Sequence, residues 1–287
     1  MRTASSAATR IRCVRVFVSA DMEGVAGIAR DEQTDPSSPL HAEGRRLLTL
    51  EVNAAIEGAL DAGVQEVVVS DGHWNCVNLL PEELHPRAEL VSGFPRRLYM
   101  GAGMGPGFDA AFFVGYHAAA GTPDAVLDHT YADDRVVREV RLCGVPQSEG
   151  SLTGYFCGAF DCPVALFTGD AAAVSQMHEF VLEVEGVVVK EGLARQAARS
   201  VHPRVARERI RAGARRAVER LDNIPPMRLS GRAELEVDVV TTAMAESCER
   251  VPCVRRLGPR TVGYASEDYV EVYRLFLALV DLAQAAV

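Results

Sequence analysis

The stretch Val14-Arg15-Val16-Phe17-Val18-Ser19-Ala20-Asp21-Met22-Glu23-Gly24 decides how this chain is read. Its first seven residues are mostly apolar and β-branched, the pattern of a strand buried on both faces. The run then stops on two carboxylates at i and i+2, Asp21 and Glu23. Side chains of extended backbone alternate, so carboxylates with this spacing can face the same side. Two like charges held together are costly unless a cation neutralises them.

Outward from this run the pattern repeats. His41 to Gly63 has helical spacing, with Leu47, Leu50, Ala54, Ala55 and Ala59 on or near one face and Gly63 as the stop. Val64 to Ser70 reads as a second buried strand, Leu79 to Leu84 as a short helical turn, and Ala88 to Ser92 as a third strand. Phe108 to Tyr116 reads as a fourth. Strands alternating with helices predict an α/β protein with a mainly parallel sheet flanked by helices. Beyond them, Arg135 to Cys143 alternates in period two and predicts an exposed antiparallel strand turning near Cys143-Gly144. A helix Gly150 to Phe160, a strand Val164 to Thr168, a helix from Ala171 and a strand Glu185 to Lys190 follow. Then come a polar helix Pro203 to Leu221, a linker Asn223 to Pro226, a strand Glu234 to Thr241 and a closing amphipathic helix Asp268 to Ala286. These elements predict a second, smaller α/β lobe containing antiparallel strands. Residues 1–12 read as a flexible extension and 13–287 as one unit, with possible lobes 13–133 and 134–287.

The chemistry sits where strands end. The second strand ends at Asp71-Gly72-His73 and the fourth at Gly115-Tyr116-His117. Ligands of open α/β sheets bind outside the carboxyl ends of the strands. Three strand ends thus aim Asp21, Glu23, His73 and His117 at one crevice. Singly, each has an ordinary reading: a histidine after a strand is commonly a hydrogen-bonded structural residue, and an acidic pair in a loop is commonly surface. Their coincidence at successive strand ends is what points to a metal. Glu149 precedes a predicted helix, where exposed N–H groups favour an acid in any case. His129 titrates near neutral pH and can act as acid or base, with Asp128 beside it to orient its ring or raise its pKa.

Composition narrows the class. With 287 residues and a formal net charge of -9, the chain lacks the basic face that a nucleic-acid partner needs. No apolar run approaches the roughly 20 residues of a membrane span. The seven cysteines are odd in number, contain no C-x-x-C pair, and lack zinc-site spacing even at Cys157/Cys162 and Cys248/Cys253. Reduced thiols in a cytoplasmic protein are expected. The glycine-rich run Gly101 to Gly107 lacks a following Lys-Ser/Thr and reads as a mobile loop rather than a phosphate cradle.

The block Ser19 to Gly27 closely resembles the opening motif of the D-aminopeptidases of the DppA type, peptidase family M55. The resemblance continues through Ser70-Asp71-Gly72-His73, Asn78-Leu79, Leu84-His85-Pro86, Gly115-Tyr116-His117-Ala118 and Asp128-His129, and past Glu149 to Thr168-Gly169-Asp170 and Lys190. It implies two zinc ions per subunit: Asp21 bridging, Glu23 and His73 completing one ion's protein ligands, His117 and Glu149 the other's. It also implies that His129 is the catalytic residue. The implied reaction is metal-assisted hydrolysis of the amide bond after an N-terminal D-residue, such as D-alanine, in short peptides. The implied assembly is a homo-oligomer, a decameric ring. Asp128 departs from the family pattern, where a small hydroxyl residue is expected, and so does the segment 96–107. Two rivals keep the fold: a metal-dependent hydrolase of L-peptides or other small amides or esters, and a non-catalytic peptide-binding protein. A nucleotide-binding reading would need a glycine-rich turn after the first strand, where Asp21 and Glu23 would instead repel a pyrophosphate.

Overall fold

A computed structural model describes residues 13–132 and 135–286. The expected extension, residues 1–12, lies outside the described residues, as does the 133/134 boundary between the expected lobes. The opening apolar run forms β1 (Arg15–Ala20), with Val16, Phe17 and Val18 fully buried. Burying each of these side chains contributes about 1.5–3 kcal/mol over leaving it exposed. After α1 (His41–Asp61) come β2 (Glu66–Asp71), β3 (Ala88–Val91) and β4 (Ala110–Tyr116). Next are the hairpin β5 (Val137–Leu142) and β6 (Val145–Pro146), α2 (Glu149–Gly158), β7 (Val164–Asp170) and α3 (Ala171–Phe180). β8 (Glu185–Ala194), β9 (Ala197–Ser200) and α4 (Pro203–Glu219) follow. The chain closes with β10 (Ala233–Val239), α5 (Thr242–Cys248), β11 (Arg255–Arg256), β12 (Thr261–Ser266) and α6 (Tyr269–Gln284).

The large sheet has seven strands in the order β3-β2-β1-β4-β7-β8-β9, parallel except for β9, which runs antiparallel to β8. Helices cover both of its faces. α4 lays Gly213 against Val187 and α3 lays Val174 against Gly186; neighbours along one strand point to opposite faces. β4 is buried along its whole length, and β1 along all but its first residue, Arg15, because both are central and covered on both sides. The chain runs from β1 outward to β2 and β3, then returns to place β4 on the other side of β1. The β1/β4 boundary is therefore a topological switch point, where the strand ends open a crevice.

The smaller sheet, β11-β12-β10-β5-β6, is antiparallel and packs on α5 and α6. In β10 the apolar residues Leu235, Val237 and Val239 face inward and Glu234 faces out. The expected hairpin turn is present, with Cys143 at φ +52° and Gly144 at φ +79°, the left-handed pair that a tight two-residue turn requires.

The short helical turn expected within Leu79 to Leu84 is present, closed by Leu84 N–H donating to the Leu80 carbonyl. Several other expectations need correction. β8 continues past Lys190 to Ala194 and turns back as β9; these edge residues are largely exposed and carry no apolar alternation to reveal a strand. α5, β11 and β12 were not expected either. The Gly101 to Gly107 run is no free loop: Met100 and Met104 are buried, and Gly101 lies under Phe156, whose ring a Cβ would meet at 2.7 Å. Strands from both sides of the expected 133/134 division share the large sheet, since β7, β8 and β9 join it. Among the described residues, no helix is long and apolar enough to cross a membrane.

Candidate metal centre

The switch point is built by close backbone approach. On leaving β1, Asp21 N–H donates to the Val114 carbonyl at 2.8 Å and Gly24 N–H to the Gly115 carbonyl at 2.7 Å. A Cβ at Gly24 would lie 1.9 Å from the Tyr116 carbonyl oxygen, so only glycine lets the two segments meet. Asp21 and Glu23 are thereby set beside His117, which follows β4.

All five expected ligand residues and His129 come together. His73 Nδ1 lies 3.4 Å from Asp21 Oδ1 and 3.1 Å from Glu23 Oε2. His117 Nε2 lies 3.3 Å from Asp21 Oδ2 and 3.4 Å from Glu149 Oε1. His129 Nε2 lies 3.4 Å from the same Glu149 oxygen, and its ring stacks on His117 with centroids 4.0 Å apart. The donor atoms form two sets, Asp21/Glu23/His73 and His117/His129/Glu149, each within 4.8 Å. Asp21 touches both.

Each histidine spends one ring nitrogen on a backbone carbonyl: His73 Nε2 on Thr34 at 3.0 Å, His117 Nδ1 on Ala118 at 3.0 Å, His129 Nδ1 on Leu127 at 2.8 Å. A carbonyl only accepts, so those nitrogens carry the hydrogen and the other nitrogen of each neutral ring presents a lone pair to the carboxylates. Asp21 Oδ2, Glu23 Oε2 and His117 Nε2 are buried with no hydrogen-bond partner. Lone pairs facing carboxylate oxygens in a buried site need a positive charge between them. In its absence protons serve. Burial alone would depress the histidines, but the carboxylates outweigh it: Glu23 and Asp21 raise His73 well above its usual range, and Glu149 and Asp21 lift His117 to about 10. Burial, and then Glu23, push Asp21 up to about 7. The residues thus fit a divalent cation, and imidazole with carboxylate oxygen is a donor set that suits zinc.

Glu149 is the first residue of α2 rather than the one before it; Ser148 is the N-cap. Its carboxylate is steered into the cluster by the Tyr131 N–H, which donates to Oε1 at 2.6 Å. His129 is not raised by Asp128. That carboxylate is turned away, accepting from Gly121 N–H at 2.7 Å and lying 3.3 Å from Arg195 Nε. Burial, and then His117, lower the pKa of His129. Non-glycine residues with left-handed backbone flank the histidines, Trp74 after His73 and Leu127 and Tyr131 around His129, with φ of +47°, +53° and +62°. Such conformations persist only where surroundings impose them.

A second set of buried charged residues had no role assigned from sequence. Asp71 accepts from Leu79 N–H at 2.7 Å and Asn78 Nδ2 at 2.9 Å, and Asn78 in turn donates to the His73 carbonyl at 2.6 Å. Asp170 caps α3 through Ala173 N–H at 2.9 Å and also accepts from Val126 N–H at 3.3 Å. Lys190 Nζ donates to the carbonyls of Glu23, Val25 and Ile28, while Glu51 accepts from Ala26 N–H at 2.9 Å in the same loop. Burial lowers Lys190 to about 8 against the pull of Asp170 and Glu51, and raises Glu51 to about 7. A lone charged residue inside an apolar strand, as Lys190 is in Val187 to Lys190, was the signal available.

With the geometry in hand, comparison with known proteins is specific. The D-aminopeptidase family pattern, peptidase M55, matches residues 14–278. The D-aminopeptidase of Bacillus subtilis (strain 168) is 31% identical over 271 residues, covering 94% of this chain and 98% of that one. The solved structure of Zn-dependent D-aminopeptidase DppA from Bacillus subtilis, described as a self-compartmentalizing protease, superposes with a TM-score of 0.91 at 30% identity, again covering 94% and 98% of the two chains. This chain belongs to the D-aminopeptidase family, peptidase M55.

Proposed function

We propose that the chain is a zinc-dependent aminopeptidase that removes N-terminal D-residues, of the D-alanine type, from short peptides. Two zinc ions would be held per subunit, one by Glu23 and His73, the other by His117 and Glu149, with Asp21 available to both. The observation that carries this reading is Asp21 itself, one oxygen 3.4 Å from His73 and the other 3.3 Å from His117. When bound, zinc supplies Lewis acidity for a scissile carbonyl and positive charge for its oxyanion.

The chain's own residues supply the rest. Thr34 and Ala118 carbonyls fix the rings of His73 and His117 through their second nitrogens. His129, its pKa lowered by burial and by His117, is a neutral base at neutral pH with Nε2 free to accept a proton and return it to the leaving amine. The zinc dependence and name of the relatives support the activity. The self-compartmentalizing relative supports a homo-oligomer, which we take to be a decameric ring admitting short peptides. Four buried free thiols, Cys76, Cys157, Cys162 and Cys248, fit a reducing cytoplasm.

The test is metal analysis joined to a stereochemical assay. Two zinc equivalents per chain are expected, with hydrolysis of D-Ala-D-Ala but not L-Ala-L-Ala, lost on chelation and restored by zinc. Faster hydrolysis of the L-peptide would replace the D-specific reading by an L-peptidase. A zinc-free chain that binds peptide without cleaving it would leave only a binding protein.

A further inference from the structure

Every basic side chain in this sequence but one is an arginine; of 30 Lys and Arg residues, Lys190 is the single lysine. It is also 1% exposed, near the middle of β8. Its ammonium meets three backbone carbonyls, those of Glu23, Val25 (3.1 Å) and Ile28 (2.7 Å). All three belong to the loop that leaves β1, and the first is the carbonyl of Glu23. The opposite edge of that loop is held by Glu51 through Ala26 N–H.

We propose that Lys190 is the positioning residue for Glu23: it gathers the 23–28 loop around one ammonium and so fixes the angle at which the Glu23 carboxylate enters the cluster. The inference rests on reading that cluster as a metal site. The choice of side chain follows from shape. An ammonium is compact and directs three donors to converging acceptors, whereas a guanidinium is planar and spreads five donors in a rigid fork. A chain that uses arginine at all its other basic positions keeps lysine where three carbonyls converge in a closed space. Without the ammonium, three buried carbonyls lose their donor and the loop must open to find water.

Chelator competition on wild type, Lys190→Met and Lys190→Arg tests this. Both variants should weaken zinc at one of the two sites by about 10- to 100-fold, the range for residues that orient a ligand, and leave the other site unchanged. In a Glu23→Gln background the effect of Lys190→Met should vanish, because the residue through which it acts is gone. Full zinc affinity in either folded Lys190 variant would overturn the proposal, as would equal loss at both sites. A measurement without any variant guards against misfolding: labelled lysine gives one side-chain signal, which should shift as zinc fills the Glu23 site, and an unmoved signal would also overturn it. Amide exchange separates this inference from the proposed function. Faster exchange across residues 23–28 in metal-free Lys190→Met supports the brace even in a protein that binds no zinc, and unchanged exchange there refutes it.

Discussion

The two halves of the large sheet both bury charged residues in or beside their strands and use them differently. At the ends of β1, β2 and β4, Asp21, Glu23, His73 and His117 aim their free polar atoms at one another, and several of those atoms have no hydrogen-bond partner. In β7 and β8, Asp170 and Lys190 are just as deeply buried, yet their polar atoms are taken up by backbone groups of α3 and of the segments beside the cluster. Depth of burial does not separate the two groups. What separates the cluster from Asp170 and Lys190 is that the polar atoms of these two are satisfied. The cluster on the left half leaves donors unpaired, while Asp170 and Lys190 on the right half, with Asp71 at the end of β2, hold the loops that carry those donors.

Substitutions in the cluster and in the bracing residues should therefore differ in size. Asp21→Ala should have the largest effect, because Asp21 belongs to one donor set and touches His117 of the other: hydrolysis of D-Ala-D-Ala should fall by about 10³-fold or more, and zinc per chain should drop, as read by metal analysis with kcat/KM. Retained zinc and near-normal turnover would place the shared ligand elsewhere. His129→Ala should lower kcat by about 10²-fold, in the range of a lost acid–base group, with full zinc occupancy. Loss of one zinc equivalent would make His129 a further donor beside His117, Glu149 and Asp21, and unchanged turnover would remove it from the chemistry.

For Glu51, which holds the other edge of the 23–28 loop, the readout is stability. Burial raises Glu51 in the folded chain to about 7, above its unfolded value near 4.5, so its favourable contribution is present below pH 4.5 and lost as pH rises through 7. Glu51→Gln should therefore match wild type in urea melts at pH 5 and exceed it at pH 8, by on the order of 2 kcal/mol. An offset independent of pH would show that the carboxyl is not the titrating group. The smallest effect belongs to Asp170→Ala, which removes the α3 N-cap at a cost of about 1 kcal/mol. Zinc content should not change, because Asp170 meets α3 and Val126 rather than the loop that carries Glu23, and a loss of zinc would extend the metal-positioning role to β7.

Much of the left half was legible in the sequence. A strand's run ends visibly, and Asp21, Glu23, His73 and His117 each follow such an end directly. The parallel sheet was legible for the same reason, since buried strands carry unbroken apolar runs. Glu149 and His129 were not reachable this way: Glu149 opens α2 and His129 lies in irregular backbone, neither follows a strand's end, and the family resemblance is what marked them as site residues. The Tyr131 N–H that steers Glu149 leaves no trace in residue type, because every non-proline residue has one. The turn of Asp128 toward Arg195 was equally hidden, since it depends on the β8–β9 hairpin some 67 residues away in sequence. The exposed edge residues of that hairpin carry no alternation, so neither it nor its contacts could be anticipated.

The solitary lysine also gives the molecule a built-in reporter. A protease that cuts only after lysine has one bond to attack, Lys190-Glu191, and that bond lies within a strand flanked by β7 and β9. Cleavage requires β8 to leave the sheet, so the native chain should stand intact where an arginine-directed protease finds many exposed sites. The rate at which two fragments appear would then count openings of the sheet itself.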